Sequence, residues 1–314
     1  MDKYQTNEYT ARLNRVMDYV ENHIGDELSL DLLADIANFS KYHFHRIFYA
    51  LTGETLFQFI QRIRLEKGAT LLLYEPRKPV TDIALECGFS NPASFAKSFK
   101  VMFDMSATEW RKRNIPAKHE TDTFKAAGNQ PAFQRVKISY QNNTQIWKIN
   151  TAAGEERKVE VMDFPPMRLA YIRHTGPYKG DAALFENLWN RLCSWAGSRS
   201  LLDSGTWYLV IYHDNPGLTD DNKLRMSVCV SVPPGTETEG EVGQMEFPGR
   251  KYSSVRFQLG PKDYQDAWNW IYGEWLPQSG YVPDDRPPFE RFTGEYDEEN
   301  GTHTVDICVP VKPL

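Results

Sequence analysis

The sequence predicts a two-domain chain: an all-α tandem helix-turn-helix domain followed by an α+β domain made of two β-α-β-β halves. Three observations carry this expectation. Apolar residues recur at helical spacing up to about residue 113, and one short helix-turn-helix pattern occurs twice within that stretch. After about residue 155 the pattern changes to alternating apolar and polar residues, interleaved with two helical runs. At 314 residues the chain is too long for one ordinary core and suits two. The expected boundaries are 1–115 for the helical domain, 116–155 for a connector and 156–314 for the mixed domain.

In the helical part, residues 9–24 place Leu13, Val16, Met17, Val20 and Ile24 on one face, and Gly25 ends that helix. Ser29 is a cap for a short helix over LDLLADIANFS, with Asp31 in its first turn. SKYHFHRIFYALTG gives a second helix that starts at a Ser and stops at Gly53. A longer run, LFQFIQRIRLEKGATLLLY, is halted by Pro76 and Pro79. TDIALECGFS and SNPASFAKSFKVMF then repeat the short-helix pair, the second beginning at Ser90 with Pro92 in its first turn. Residues 116–132 are polar with two prolines, and RVKISYQNNTQIWKIN alternates about an Asn-Asn turn as a hairpin would. In the mixed part, VEVM, RLAYIRH, WYLVIYH, MSVCVSV, YSSVRFQ and TVDICVPV are strand-like and surround helical patterns at 181–196 and 262–276.

LADIANFS (33–40) aligns with IALECGFS (83–90), with Ala34 over Ala84, Phe39 over Phe89 and Ser40 over Ser90. Past the serine, Phe44, Arg46 and Phe48 match Phe95, Lys97 and Phe99, with one extra residue in the second copy. A small residue lets two helices cross closely, and a Ser can satisfy free amides where the second helix starts. The joining helix of about 19 residues spans about 28 Å, near the roughly 34 Å between successive major-groove faces of B-DNA. Phe44, Ile47, Phe48 and Leu51 are expected to face the core, which leaves Tyr42, His45, Arg46 and Tyr49 outward. On the second helix Phe95 and Phe99 face inward, with Ala93, Ser94, Lys97 and Lys100 outward. Arg can bond guanine O6 and N7 together, His can bond base edges, and Tyr can reach phosphate.

At these residues the segment 8–113 resembles the DNA-binding domain of AraC-type transcription regulators. The resemblance implies a double-stranded DNA partner and two recognition helices in adjacent major grooves. It also implies base-contacting positions at Tyr42, His45 and Arg46, and at Pro92, Ala93, Ser94 and Lys97. Pro92 and Ala93 stand where longer polar residues are often found, so the second helix is expected to read less sequence than the first.

A weaker repeat marks the second domain. HTGPY (174–178) and QLGP (258–261) both follow a strand pattern and precede a helical one, and MSVCVSVP and VDICVPV both close their halves. Two such halves side by side create a groove at their seam. YIRHTGPY, WYLVIYHDNP, WLPQSGY and PPFERF resemble the gyrase-inhibitor-like (GyrI-like) ligand-binding domain, also found in multidrug-sensing regulators. An AraC-type reader placed before it is similar in architecture to the Rob-type regulators. Glu290, in PPFERF, is the candidate pocket carboxylate, able to pair with a cationic ligand; pairing with Arg286 or Arg291 is the alternative. Tyr171, Trp207, Tyr212, Tyr252 and Trp268 are candidate walls for a small-molecule effector.

Other classes find less support. The net charge of −6 divides into 0 for residues 1–115, +3 for 116–158 and −9 for 159–314, so charge leaves DNA open for the first part and speaks against it for the last. Cys87, Cys193, Cys229 and Cys308 fit neither a disulfide framework nor a zinc site, so reduced thiols are expected. With no signal-like or membrane-length apolar run, a cytoplasmic location is expected, away from membrane. His43 and His45, two apart on a helix, point to different sides, so no metal is expected. His174 is expected to stabilise a turn rather than to act as a base. GxxxxGK[ST], GxGxxG and GxSxG are absent, so no cofactor and no catalytic residues are assigned. The leading reading is a sequence-specific transcription regulator that senses an amphipathic or cationic molecule, with RNA polymerase as a further candidate partner. The alternatives make the second domain a protein-interaction module for gyrase or polymerase, or a small-molecule hydrolase.

Overall fold

Helical spacing up to residue 113 becomes seven helices among the described residues, which in this computed structural model are 3–114, 136–141, 144–150 and 156–314. They are α1 (Lys3–Asn22), α2 (Leu30–Ile36), α3 (Lys41–Thr52), α4 (Leu56–Tyr74), α5 (Val80–Glu86), α6 (Pro92–Phe103) and α7 (Ala107–Asn114). Leu13, Val16, Met17 and Val20 of α1 are buried with Leu33, Phe44, Phe48 and Phe59 in one core. Leu65, Ala69 and Leu72 of α4 join Ile83, Phe95 and Phe99 in a second. Thus α4 contributes to both cores. Leu51, expected inside, is 42% exposed, because it lies in the last turn of α3 just before Gly53 leaves the helix with φ 73°.

The duplication runs further than the sequence alignment showed. Phe39 N–H bonds Ala34 O at 3.0 Å, and Phe89 N–H bonds Ala84 O at 3.1 Å. Both turns pass through the left-handed region, at Asn38 (φ 52°) and Gly88 (φ 81°). Gly53 and Asp104 (φ 54°) then close α3 and α6 in that same conformation. Each is followed by a reciprocal cap. Thr55 Oγ1 accepts from Gln58 N–H (3.2 Å) while Gln58 Oε1 accepts from Thr55 N–H (2.9 Å). Ser106 Oγ and Glu109 repeat both bonds, at 3.2 and 2.9 Å. The cap of α6 is Asn91, whose Oδ1 accepts from Ser94 N–H at 2.8 Å, rather than the expected Ser90. Ser40 occupies the N-cap of α3 without a side-chain capping bond.

The mixed domain forms a second compact unit. Its elements are β1 (Val136–Gln141), β2 (Thr144–Asn150), β3 (Glu156–Phe164), β4 (Met167–Thr175), α8 (Ala182–Gly197), β5 (Tyr208–Tyr212), β6 (Arg225–Val232), β7 (Gly243–Phe247), β8 (Arg250–Leu259), α9 (Tyr264–Trp270), β9 (Tyr281–Pro283), β10 (Phe289–Asp297) and β11 (Thr302–Pro313). A π-helical turn, Ile271–Trp275, continues α9. The antiparallel order is β1-β2-β3-β8-β11-β10-β5-β6-β4-β7, with β9 on β11. The expected halves are β4-α8-β5-β6 and β8-α9-β10-β11, and they meet at the β5–β10 pair. The hairpin β1–β2 falls within the expected connector and extends the sheet through β2–β3 pairing; the rest of 116–155 lies outside the described residues.

Strand alternation gives the sheet two faces. On one, α8 packs over Ile172, Val210, Val228 and Val230, and α9 over Val255, Phe257, Val305 and Ile307. The other buries Tyr171, Leu209, Ile211, Tyr252, Phe289 and Cys308. A corner closes this second face. Only Pro165–Pro166 separates β3 from β4, only Pro248–Gly249 separates β7 from β8, and the pairs β3–β8 and β4–β7 run through it. Gly249 has φ 69°, and a Cβ there would stand 2.3 Å from Phe164 O, so the two chains meet backbone to backbone. Arg286 fastens the corner, donating to Gly249 O (2.7 Å) and Lys251 O (2.9 Å) with its guanidinium over the Tyr252 ring.

Candidate DNA-reading helices and effector site

The buried positions of α3 and α6 determine what those helices present. With Phe44 and Phe48 buried, His45, Arg46 and Tyr49 are exposed on α3; the Tyr42 side chain lies outside the described ones. With Phe95 and Phe99 buried, Ala93, Ser94, Lys97 and Lys100 are exposed on α6, and Pro92 is half-buried at its start. Among the described residues neither Arg46 nor Lys97 has a hydrogen-bond or ion-pair partner, so both cations stand open to solvent. Two contacts brace α6 against the joining helix. Gln61 Nε2 donates to Ser98 Oγ at 2.8 Å, and a Cβ on Gly68 would meet the Phe95 ring at 2.7 Å. Thus α6 is seated where the α4 backbone lies bare.

In the second unit, the register Glu290↔Val210 puts the candidate carboxylate at the seam, on the helix-covered face. Glu290 is 2% exposed. Trp268 Nε1 of α9 donates to its Oε1 at 2.9 Å, and Tyr212 of β5 hydrogen-bonds the same carboxyl. Neither neighbouring arginine pairs with it. Arg291 reaches Asp306 on the opposite face (2.6 Å), and Arg286 reaches Asp284 (2.9 Å). Burial pushes the Glu290 carboxyl up to about 7, against the smaller opposing effect of the Trp268 and Tyr212 donors. Burial also raises the Tyr178, Tyr212 and Tyr264 phenols, each with Glu290 adding to the shift.

Aromatic rings surround this carboxyl. Tyr212 lies 5.6 Å from Tyr178 and 5.8 Å from Trp268, centroid to centroid, and Trp268 stacks on Tyr272. On the α8 side Trp189 meets Phe292 and Tyr208. Of the expected walls, then, Tyr212 and Trp268 share the face of Glu290. Tyr171, Trp207 and Tyr252 do not. Tyr171 and Tyr252 are buried in the core of the other face, with Trp207 against it, because their strand positions have the opposite parity.

Comparison with known proteins places both parts. Residues 33–113 match the family model of a helix-turn-helix domain, and residues 157–312 match the GyrI-like small molecule binding domain. The Transposon Tn10 TetD protein of Escherichia coli is 31% identical over 107 residues, which are 34% of this chain and 77% of TetD. The chain belongs to the AraC-type family of helix-turn-helix proteins and carries a GyrI-like small molecule binding domain. The HTH-type transcriptional regulator YbfP of Bacillus subtilis is 31% identical over 116 residues, covering 36% of this chain and 39% of YbfP. The transcriptional regulator Rob of Salmonella typhimurium is 35% identical over 94 residues, 30% of this chain and 32% of Rob. The matched stretch therefore spans well under half of YbfP or Rob.

Within the GyrI-like domain, sequence reasoning missed Tyr178 and Tyr264 as neighbours of the carboxyl, and Tyr272 as the ring stacked on Trp268. Tyr264, Trp268 and Tyr272 recur every fourth residue, which is one helical stripe, and that signal was available. His174 does hold its turn: its Nε2 lies 3.1 Å from Pro177 O. The described cysteines are free thiols, Cys193 half-buried and the others buried. No described helix is long and apolar enough to cross a membrane.

Proposed function

We propose that this regulator reads double-stranded DNA with α3 through Tyr42, His45 and Arg46, and with α6 through Pro92, Ala93, Ser94 and Lys97. Its GyrI-like domain takes a small amphipathic cation against Glu290, Tyr212 and Trp268. The observation that carries the effector class is a buried seam carboxylate ringed by aromatics, held by neutral donors and bypassed by both neighbouring arginines. An organic cation supplies the missing charge while its apolar body covers the rings. On the DNA side, exposed Arg46 is suited to a two-point bond with guanine, whereas Lys97 on a helix of short side chains is suited to phosphate.

The test compares tetraphenylphosphonium with the neutral triphenylphosphine oxide, titrated into the full chain. Glu290→Gln should weaken the cation by at least about tenfold, near 1.4 kcal/mol, and leave the neutral compound unchanged. Equal losses for both would make Glu290 structural and sink this effector class.

A further inference from the structure

We propose that effector uptake at Glu290 is a proton exchange: the empty site holds the carboxyl protonated, and an arriving cation takes the place of that proton, which leaves to solvent. This rests on the effector reading above and adds to it a chemical cost and a pH dependence. The geometry supports both states of the carboxyl. In the charged state Trp268 Nε1 donates to Oε1 and the Tyr212 hydroxyl donates as well. In the neutral state the carboxyl needs an acceptor for its own O–H. A phenol oxygen can accept as well as its hydrogen donate, so Tyr212 can turn to serve, while the indole remains a donor to the other oxygen.

The groups facing Glu290 include no cation: only the Trp268 and Tyr212 donors favour its ionised form, and burial outweighs them. From β5 there are Tyr212 and Tyr208, from the turn before α8 Tyr178, and from α9 Tyr264 and Trp268, the latter stacked on Tyr272 of the π-helical turn. Cys193 of α8 bears on Tyr208 rather than on the carboxyl. Asp214, beyond Tyr178, is a further acid and is locked to Arg225 at 2.6 Å. On β10 itself Arg291 points to the other face and pairs with Asp306. The phenols named here are neutral acids and Asp214 is paired with Arg225, so none of these groups supplies Glu290 with a positive charge. Burial shifts the carboxyl in the same direction, up to about 7. Charge balances in the exchange: RCOOH plus a fixed-charge cation gives the ion pair RCOO⁻/cation plus H⁺.

The test is calorimetric titration of the full chain with tetraphenylphosphonium, which cannot itself lose a proton, in buffers of different ionisation enthalpy. Below neutrality close to one proton should leave per cation bound, falling toward none well above neutrality. Affinity should rise about tenfold per pH unit on the acid side and level off above about pH 7. Infrared difference spectra of the unaltered protein should show a protonated-carboxyl C=O band lost as the cation binds, and Glu290→Gln should lack it. Glu290-dependent binding with no proton released on the acid side would overturn the exchange and leave the effector reading standing. No binding, or binding indifferent to Glu290→Gln, would overturn both.

Discussion

Glu290, proposed above to meet the effector, also bears on stability. Its carboxyl ordinarily titrates at 4.5 and is pushed up to about 7 in the fold. Between those values the folded chain binds more protons than the unfolded one, so stability falls as pH rises through that window and stays lower above it. Glu290→Gln removes the titration. The variant should be more stable than the parent at about pH 8, by up to about 3 kcal/mol, with the gap shrinking toward about pH 5 in denaturant titrations. A gap that widened on acidification would mean the carboxyl is not penalised by burial. The reader has its own residue-scale test. Arg46→Ala should cost about 1–3 kcal/mol on a specific site and relax one base preference, whereas Lys97→Ala should weaken all sequences alike. The reverse outcome in binding assays would make α6 the principal reader. Glu290 was singled out by the aromatics beside it in sequence together with the GyrI-like resemblance, whereas the side chains around its carboxyl were less legible. Trp207 and Tyr212 are five apart along one strand segment, an odd number, so they cannot share a face. For Tyr171 and Tyr252 the sequence held no such signal, since which face the helices cover depends on how separate strands pair.

Elements carry loads their own sequences do not announce. The hairpin β1–β2 precedes the stretch matched by the GyrI-like family model, which begins at 157, yet Trp147 and Ile149 are buried in the core under α9. The Trp147 ring meets Trp275 edge-on at 6.3 Å. Trp147→Ala should therefore cost about 3–5 kcal/mol of stability, readable as a lower thermal midpoint of the full chain; an unchanged midpoint would detach the hairpin from the domain. Alternation marked the hairpin in the sequence, but nothing local revealed that it pairs with β3. In the reader, Arg62 of α4 lies between Glu54 (2.6 Å) and Glu66 (3.4 Å), all three buried. Arg62→Ala leaves two carboxylates in a poorly hydrated site, an expected loss of about 3–5 kcal/mol. Denaturation that is insensitive to Arg62→Ala would show water reaching that site. By contrast α4 was read to its full extent, because its periodic apolar run begins at Leu56 and is halted by prolines.

At the scale of the molecule, charge is divided as sharply as structure. Residues 1–115 sum to zero and residues 159–314 to −9. The fragment 1–115 should thus bind non-specific duplex more tightly than the full chain at low salt, with the difference closing as salt screens the acidic domain. A difference that persisted at high salt would require a cause other than charge. The sequence disclosed this division directly, as it disclosed two domains; the corner that closes the sheet at Gly249 was hidden, because it depends on two backbones far apart in sequence meeting.

Because α4 joins the two halves of the helical domain, with α3 just before it and α6 braced on its Gln61 and Gly68, it works as an axle between the two proposed reading helices. An axle transmits phase as well as distance. Gly68 gives it no joint, since the Phe95 ring fills the space where a side chain would stand. One residue added to α4 would turn α6 by about 100° relative to α3 while shifting it only about 1.5 Å. The complementary change in DNA, one base pair added between the two reading steps, moves the second by about 3.4 Å and about a tenth of a turn. No insertion in the protein matches that combination. Spacing between the two reading steps is therefore not a tunable variable for this reader, and its operators should diverge in letters long before they diverge in length.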